Sequence, residues 1–188
     1  MIIPGRVAHA RNVVKKLLSV EKQAQPCGVD LTLKRIKTWS SAGAIDFDNT
    51  HRKTAGTVDM PFRRLSGEPH IPTSRTSKLD EQETEAVETD YVDVACGSYL
   101  VEFNELVDMP LDLMGQIMVR SSLFRSGALV HAGVMDSGYK GAVGGVLQVV
   151  NPYGLRLYKD AKLAQIVFHE MSEPVEGYSG IYQGRTHI

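Results

Sequence analysis

From Gly97 to residue 169 the chain is a succession of short apolar runs, each closed by a Gly-, Pro- or Asp-rich break. The runs are 98–104 (SYLVEFN), 113–119 (LMGQIMV), 128–134 (ALVHAGV), 142–151 (AVGGVLQVVN), 155–158 (LRLY) and 163–169 (LAQIVFH). Segments this short, recurring at roughly 8–12-residue spacing, predict an all-β barrel or sandwich rather than alternating βα units. Residues 28–39 (GVDLTLKRIKTW) add a strand, with Val29, Leu31 and Leu33 alternating with polar positions. Residues 6–19 differ: Val7, Ala10, Val13, Val14, Leu17 and Leu18 fall at helical spacing and predict a short amphipathic N-terminal helix. Gly144 and Gly145, inside an apolar run, predict a bulge or a close backbone approach.

At 188 residues the chain can bury a core as one domain spanning 1–188. Two stretches stand apart from it. Residues 62–93 are a polar insertion containing DEQETEAVETD, six acids in eleven residues, too polar to offset its own ordering entropy. Residues 177–188 are rich in Gly and polar groups and read as a mobile tail. Lys and Arg number 21 against 22 Asp and Glu, which excludes the concentrated positive field of a nucleic-acid coat. A small phosphate-bearing ligand needs only a few donors and stays open. Two cysteines, Cys27 and Cys96, are too few for a disulfide framework and point to a reducing compartment, the cytoplasm first. No apolar stretch approaches 18 residues and the N-terminal residues lack a secretory h-region, so neither membrane insertion nor secretion is expected.

Several chemistries can be discarded. None of the six histidines precedes a Glu by two and there is no P-C-x-x-C, so a zinc deaminase is unsupported. Neither a P-loop nor a G-x-S-x-G elbow is present. What remains are five polar clusters at strand ends. Asp30 enters an apolar strand behind Gly28, and by itself fits a solvent-facing strand acid better than a site. Arg120-Ser121-Ser122-Leu123-Phe124-Arg125 offers forked guanidinium donors and hydroxyls suited to phosphate oxygens, or an ordinary surface loop. His131 through Gly141 (HAGVMDSGYKG) reads as a hairpin displaying Asp136, able to deprotonate a water, beside the Tyr139 ring, able to pack on a sugar. Lys162 and Gln165 flank Leu163-Ala164, and Tyr178, Tyr182 and Gln183 mark the tail.

Together these clusters resemble the dUTPase and dCTP deaminase superfamily. The order is Cys-Gly-Val-Asp-Leu at 27–31, Arg-Ser-Ser-Leu at 120–123, Ala-Gly-Val-Met-Asp-Ser-Gly-Tyr-Lys-Gly at 132–141, Leu-Ala-Gln at 163–165 and Tyr-Gln-Gly at 182–184. The resemblance implies a distorted jelly-roll that forms a homotrimer with sites at subunit interfaces, binding a deoxyribonucleoside triphosphate with Mg²⁺. In it Asp136 activates the attacking water and Tyr139 stacks on the deoxyribose. Backbone around Val130, His131 and Val134 reads the pyrimidine. Arg120, Arg125 and Lys162 hold the triphosphate with Ser121, Ser122 and Gln165. Asp30 lies near the metal, acting through water, and Tyr178, Tyr182 and Gln183 belong to the closing tail.

The same scaffold supports two reactions: hydrolysis of dUTP to dUMP and pyrophosphate, and zinc-independent deamination of dCTP. The deaminases resemble L-E-x-x-N on the next strand, where this chain has Leu147-Gln148-Val149-Val150-Asn151. A primary amide does not titrate near neutrality and cannot shuttle the protons of deamination. The hairpin resembles the dUTPase form, whereas the N-terminal helix, Arg125 and the Tyr-Gln-Gly tail resemble the deaminase branch. Ile181 replaces the lysine usual before Tyr-Gln, and Lys162 an arginine usual in dUTPases. The expectation is a dUTP diphosphatase on a deaminase-like body, with Gln148 among the substrate contacts. A dCTP deaminase and a catalytically silent deoxynucleotide-binding regulator are the alternatives.

Overall fold

The computed structural model describes residues 1–64 and 90–188. Its strands are β1 (Ile2–Ile3), β2 (Val14–Lys15), β3 (Ala24–Gln25), β4 (Gly28–Trp39), β5 (Thr57–Asp59), β6 (Arg63–Arg64), β7 (Asp90–Val94), β8 (Gly97–Asp108), β9 (Leu113–Val119), β10 (Ala128–His131), β11 (Val134–Met135), β12 (Lys140–Val149), β13 (Leu155–Tyr158) and β14 (Lys162–Glu170). Three short helices, α1 (Gly5–Ala10), α2 (Val20–Gln23) and α3 (Ser121–Arg125), sit between them. Among the described residues no helix is long and apolar enough to cross a membrane.

The expected all-β architecture is present. One curled antiparallel sheet runs β10-β12-β8-β4-β14-β9-β11, with β1, β2, β3 and β5 pairing at its sides. A smaller sheet, β13-β7-β6, lies apart. The curl originates in β4, which changes neighbours along its length. Residues 29–32 pair with β14, whereas Leu33 to Lys37 pair with β8. Bulges mark both ladders at that point, between Lys162 and Ala164 and between Leu33 and Arg35. Extra residues on one side of a ladder bend the strand and let a sheet wrap round its own core. Inside the curl, Phe103, Phe168, Leu31, Leu33, Leu113, Leu147 and Ile166 are fully buried. Gly144 and Gly145 mark a further bulge, in the β12–β8 ladder between Ala142 and Gly144.

The N-terminal helix is shorter than periodicity predicts. It ends at Ala10, because Asn12 (φ 57°) and Lys16 (φ 61°) adopt left-handed conformations that a right-handed helix cannot carry through. Val13 and Val14 still bury, but outside the helix, with Val14 in β2 opposite Val107. Ser19 then caps α2, its Oγ accepting from Lys22 N–H at 3.3 Å.

The polar stretch placed at 62–93 begins and ends in strands, β6 and β7; residues 65–89, with most of the acidic run, lie outside the described residues. Its far end is fixed by Arg156, which donates to both carboxylate oxygens of Asp93 (2.7 and 2.8 Å) and lies 4.2 Å above the Tyr91 ring. The C-terminal residues, expected to be a mobile tail, form backbone bonds with the body. Tyr178 N–H donates to Ser137 O (2.8 Å), Gly184 N–H to Lys140 O (2.7 Å) and Ala142 N–H to Arg185 O (2.7 Å). The glycines that read as mobility make close approach possible. A Cβ on Gly138, where φ is +78°, would stand 2.7 Å from Gly177 Cα.

Phe168, near the C-terminal end of β14, is a fully buried member of the core. Phe168→Ala should cost about 3–5 kcal/mol of unfolding free energy, read from denaturant titration at unchanged m-value.

Candidate active site

The polar residues collect in two places. The first surrounds Asp30, whose side chain is only 1% exposed. Arg120, just past the end of β9, approaches with Nε 3.4 Å from Asp30 Oδ1. Lys162, at the start of β14, places Nζ 3.1 Å from Oδ2. Gln165, paired with Asp30 across the ladder, donates from Nε2 to Oδ1 at 3.4 Å. Lys162 Nζ also donates to Lys22 O (3.0 Å), which ties the cluster to α2. One acid thus gathers two cations and an amide at a partly open surface. With two positive charges against one, the cluster is left net positive and suited to an anion. Ser121, Ser122 and Arg125 extend it along the exposed side of α3.

The second surrounds Asp136. The β11 strand pairs with β9, Met135 opposite Gly115, so the following turn carries Asp136 to the surface. Its carboxylate borders two cavities, of about 170 and 460 Å³. The smaller is walled by Val134, Tyr139, Gly144, Tyr178 and Tyr182. Tyr139 is held rigidly: its hydroxyl donates to Ala142 O (2.7 Å), and its ring meets Tyr178 edge-on with centroids 5.5 Å apart. Burial and the neighbouring Tyr178 push its phenol up, so at neutral pH it stays a neutral donor. Gln183 closes the turn, accepting from Lys140 N–H (2.8 Å) and donating to Gly138 O (2.9 Å).

His131 and Gln148 form a third, smaller pair, Nε2 to Oε1 at 3.1 Å, across the β10–β12 ladder. The Val130 side chain is in the core, 6% exposed. Residues expected to act together are therefore divided. Met135 is opposite Gly115, while Arg120 lies five residues further along the same strand, about 17 Å at ~3.4 Å per residue. Asp136 and the Asp30–Arg120–Lys162 cluster are at opposite ends of β9.

Two buried acids escaped the sequence reading. Glu102 and Glu105 are both 0% exposed on β8. The signal was present, two glutamates inside the apolar run 98–107, yet it does not distinguish an inward acid from an outward one. Glu102 Oε1 accepts from Lys34 Nζ and from His187 Nδ1 (3.1 Å), anchoring the end of the tail. Among the described residues no group of three or more His, Cys, Asp or Glu could hold a metal ion.

An all-β body thus carries a cation cluster at one end of β9 and a tyrosine-walled acid at the other. The chain belongs to the dCTP deaminase-like family, whose sequence profile matches residues 6–171. It is 37% identical over 175 residues to a probable deoxyuridine 5'-triphosphate nucleotidohydrolase of Methanosarcina mazei, covering 93% of this chain and 88% of that protein. To the deoxyuridine 5'-triphosphate nucleotidohydrolase of Methanocaldococcus jannaschii it is 35% identical over 165 residues, 88% of this chain and 90% of that one. Among solved structures, the 2'-deoxycytidine 5'-triphosphate deaminase of Agrobacterium tumefaciens shares the fold, with a TM-score of 0.54 at 18% identity. That match covers 89% of this chain and 47% of the deaminase chain, so the present chain spans about half its length.

Burial pushes the Glu102 carboxyl up, but bonds from Lys34 and His187 outweigh it and hold the group below the usual glutamate range. A carboxylate lowered in the folded state contributes stability above its unfolded value and loses it as pH falls through the folded one. Glu102→Gln should therefore lower Tm at pH 7 and flatten the fall in Tm below about pH 4.5, and amide exchange of the tail should quicken.

Proposed function

We propose that the protein is a dUTP nucleotidohydrolase, releasing dUMP and pyrophosphate, with Asp136 as the group that aligns and deprotonates the attacking water. The observation that carries this reading is the Asp136 carboxylate at the mouth of a cavity walled by tyrosines. It matches curated relatives of the same name at 35–37% identity over most of the chain. Water attacks the α-phosphorus, the bond from that phosphorus to the pyrophosphate oxygen breaks, and the water proton passes to Asp136 and on to solvent. Tyr139 packs against the deoxyribose, while backbone near Val130, His131 and Val134 faces the pyrimidine. Tyr178, Tyr182 and Gln183 complete the wall. Arg120, Arg125 and Lys162 offset charge developing on the leaving pyrophosphate, with Ser121, Ser122 and Gln165 donating.

Mg²⁺ enters this reading on the substrate, as the magnesium complex of the triphosphate, where it neutralises phosphate charge. Magnesium keeps most of its waters and favours substrate phosphates plus one or two carboxylates. The oxygens of Asp30 already face Arg120 and Lys162, so Asp30 reaches such an ion only through water.

The distance along β9 between Asp136 and the cation cluster exceeds what one triphosphate bridges within a single copy. We infer that one copy supplies the cations and another supplies Asp136 and Tyr139, in a homotrimer whose sites lie at subunit interfaces. Met118, Phe124 and Val134, all about half exposed, give those edges apolar surface to bury. Deamination of dCTP is the weaker reading, since the amide of Gln148 is held by His131 and cannot exchange protons with water.

Asp136→Asn should reduce pyrophosphate release from dUTP by about 10²–10⁴-fold, and Arg120→Ala should also be deficient. Mixing and reassembling the two variants should restore roughly a quarter of wild-type activity, the fraction of interfaces with both halves intact. No recovery would sink the shared site, and ammonia release from dCTP would favour the deaminase.

A further inference from the structure

Glu105 is a fully buried carboxylate that the proposed reaction does not use, and it fills a defect in the sheet. Along the β8-facing edge of β4, pairing with β3 ends at Val29 and pairing with β8 begins at Leu33. Between them no strand lies beside β4, and two side chains take its place. Glu105 Oε2 accepts from Thr32 N–H at 2.9 Å, and Gln23 Nε2 donates to Asp30 O at 2.9 Å. The two are joined, with Gln23 Nε2 donating to Glu105 Oε1 at 2.6 Å. The Thr32 hydroxyl donates to the same oxygen at 2.7 Å. A carboxylate and an amide thus reproduce the acceptor and donor of a missing ladder rung.

The residues this rung holds are those of the cation cluster. Asp30 carries Arg120 and Lys162, and Thr32 stands opposite Lys162 in the ladder. Gln23 ends α2, and the preceding carbonyl, Lys22 O, receives Lys162 Nζ. Moving Gln23 therefore moves both the backbone of Asp30 and a partner of Lys162. Burial pushes the Glu105 carboxyl up, against the bonds from Thr32 and Gln23. Such a group is costly to keep in the core unless its geometry serves a purpose.

We propose that Glu105 is a positioning residue for the phosphate end of the site: through Gln23 and Thr32 it sets Asp30 and Lys162 without touching substrate. The inference rests on the reading of Asp30, Arg120 and Lys162 as the phosphate end. Displacing a binding group by about an ångström costs on the order of 10²-fold. The effect should be confined to ligands that carry the phosphates beyond the first.

The test is calorimetric titration of the full chain with dUMP and with the non-hydrolysable α,β-imido analogue of dUTP plus Mg²⁺. Glu105→Gln, which turns an amide N–H₂ toward donors, should weaken the analogue by about 10–100-fold and leave dUMP within about twofold. A merely structural role would lower both affinities in parallel, through the folded fraction, and that result overturns the proposal. So does an unchanged analogue affinity. Should Glu105→Gln fail to fold, Gln23→Met removes the side-chain bonds to Asp30 O, Glu105 and Ser19 N–H while leaving Thr32 N–H bonded to Glu105, and the same split is required of it. Wild-type protein that binds neither ligand would remove the functional reading and the proposal with it. Wild-type binding of both, with variants unchanged, removes the proposal alone.

Discussion

The strand β4 belongs to two neighbourhoods at once, and the structure depends on how its middle is satisfied. A strand that leaves one partner before joining another exposes backbone donors and acceptors inside the protein, each costly when unpaired. Here the exposed groups are Asp30 O and Thr32 N–H, and the Gln23 amide and Glu105 carboxylate meet them. The arrangement extends outward, since Asn104 donates both to Thr32 Oγ1 (3.0 Å) and to Asp160 Oδ1 (2.8 Å). That second bond reaches Asp160, in the left-handed conformation (φ 65°) that turns the chain into β14. The bend of the sheet, the turn before Lys162 and the placement of Asp30 are consequences of one polar network.

Asp30 is the point at which this architecture meets binding. Alone, a carboxylate 1% exposed would be strongly disfavoured. Arg120 and Lys162 supply opposite charge, and both arrive by backbone register, since Arg120 N–H donates to Leu163 O (3.2 Å) beside Lys162. The acid fixes two flexible cations in advance, so an incoming anion need not order them. The two cations differ in kind. Arg120 offers a planar fork, whereas Lys162 is a point charge already shared between Asp30 and Lys22 O. Replacing the arginine usual at position 162 by lysine exchanges a forked contact for one that α2 can hold.

Most of the strand plan was legible because each strand shows its own period. The runs at 113–119 and 155–158 coincide with β9 and β13, and 28–39 coincides with β4. These segments alternate, and their ends carry Gly, Asp or Pro. The failures are of one type. Val13 and Val14 fit a helical stripe, yet they bury outside the helix, Val14 from a strand, because Asn12 turns the chain before them in a conformation no apolar period encodes. Expected to end at 104, β8 continues to Asp108, because Glu105 points inward to donors 73 and 82 residues away in sequence. The bonds of the C-terminal residues to the body use backbone groups and Gln183, which composition does not weigh. The candidate residues around Asp30 and Asp136 could be named one by one. Their separation along β9 could not, since it depends on which strands become neighbours.

The pair His131–Gln148 shows how one atom directs a scaffold toward one reaction. Removing an exocyclic amine requires a side chain that takes a proton from water and delivers it to the leaving nitrogen, so it must change protonation state during turnover. A glutamate at position 148 would do so; Gln148 instead gives Oε1 to His131 Nε2 and has no proton to exchange. His131 is engaged with that amide across the ladder. The acid–base capacity left at this end of the sheet belongs to Asp136, open to solvent on its turn, while Tyr139 is held neutral beside it. On the proposed reading, Asp136 activates water against phosphorus and not against a pyrimidine carbon. That is why the deaminase-like frame of the chain and its hydrolase-like hairpin do not conflict. On that reading the frame carries the cations, and the hairpin carries the base that selects the bond to be broken.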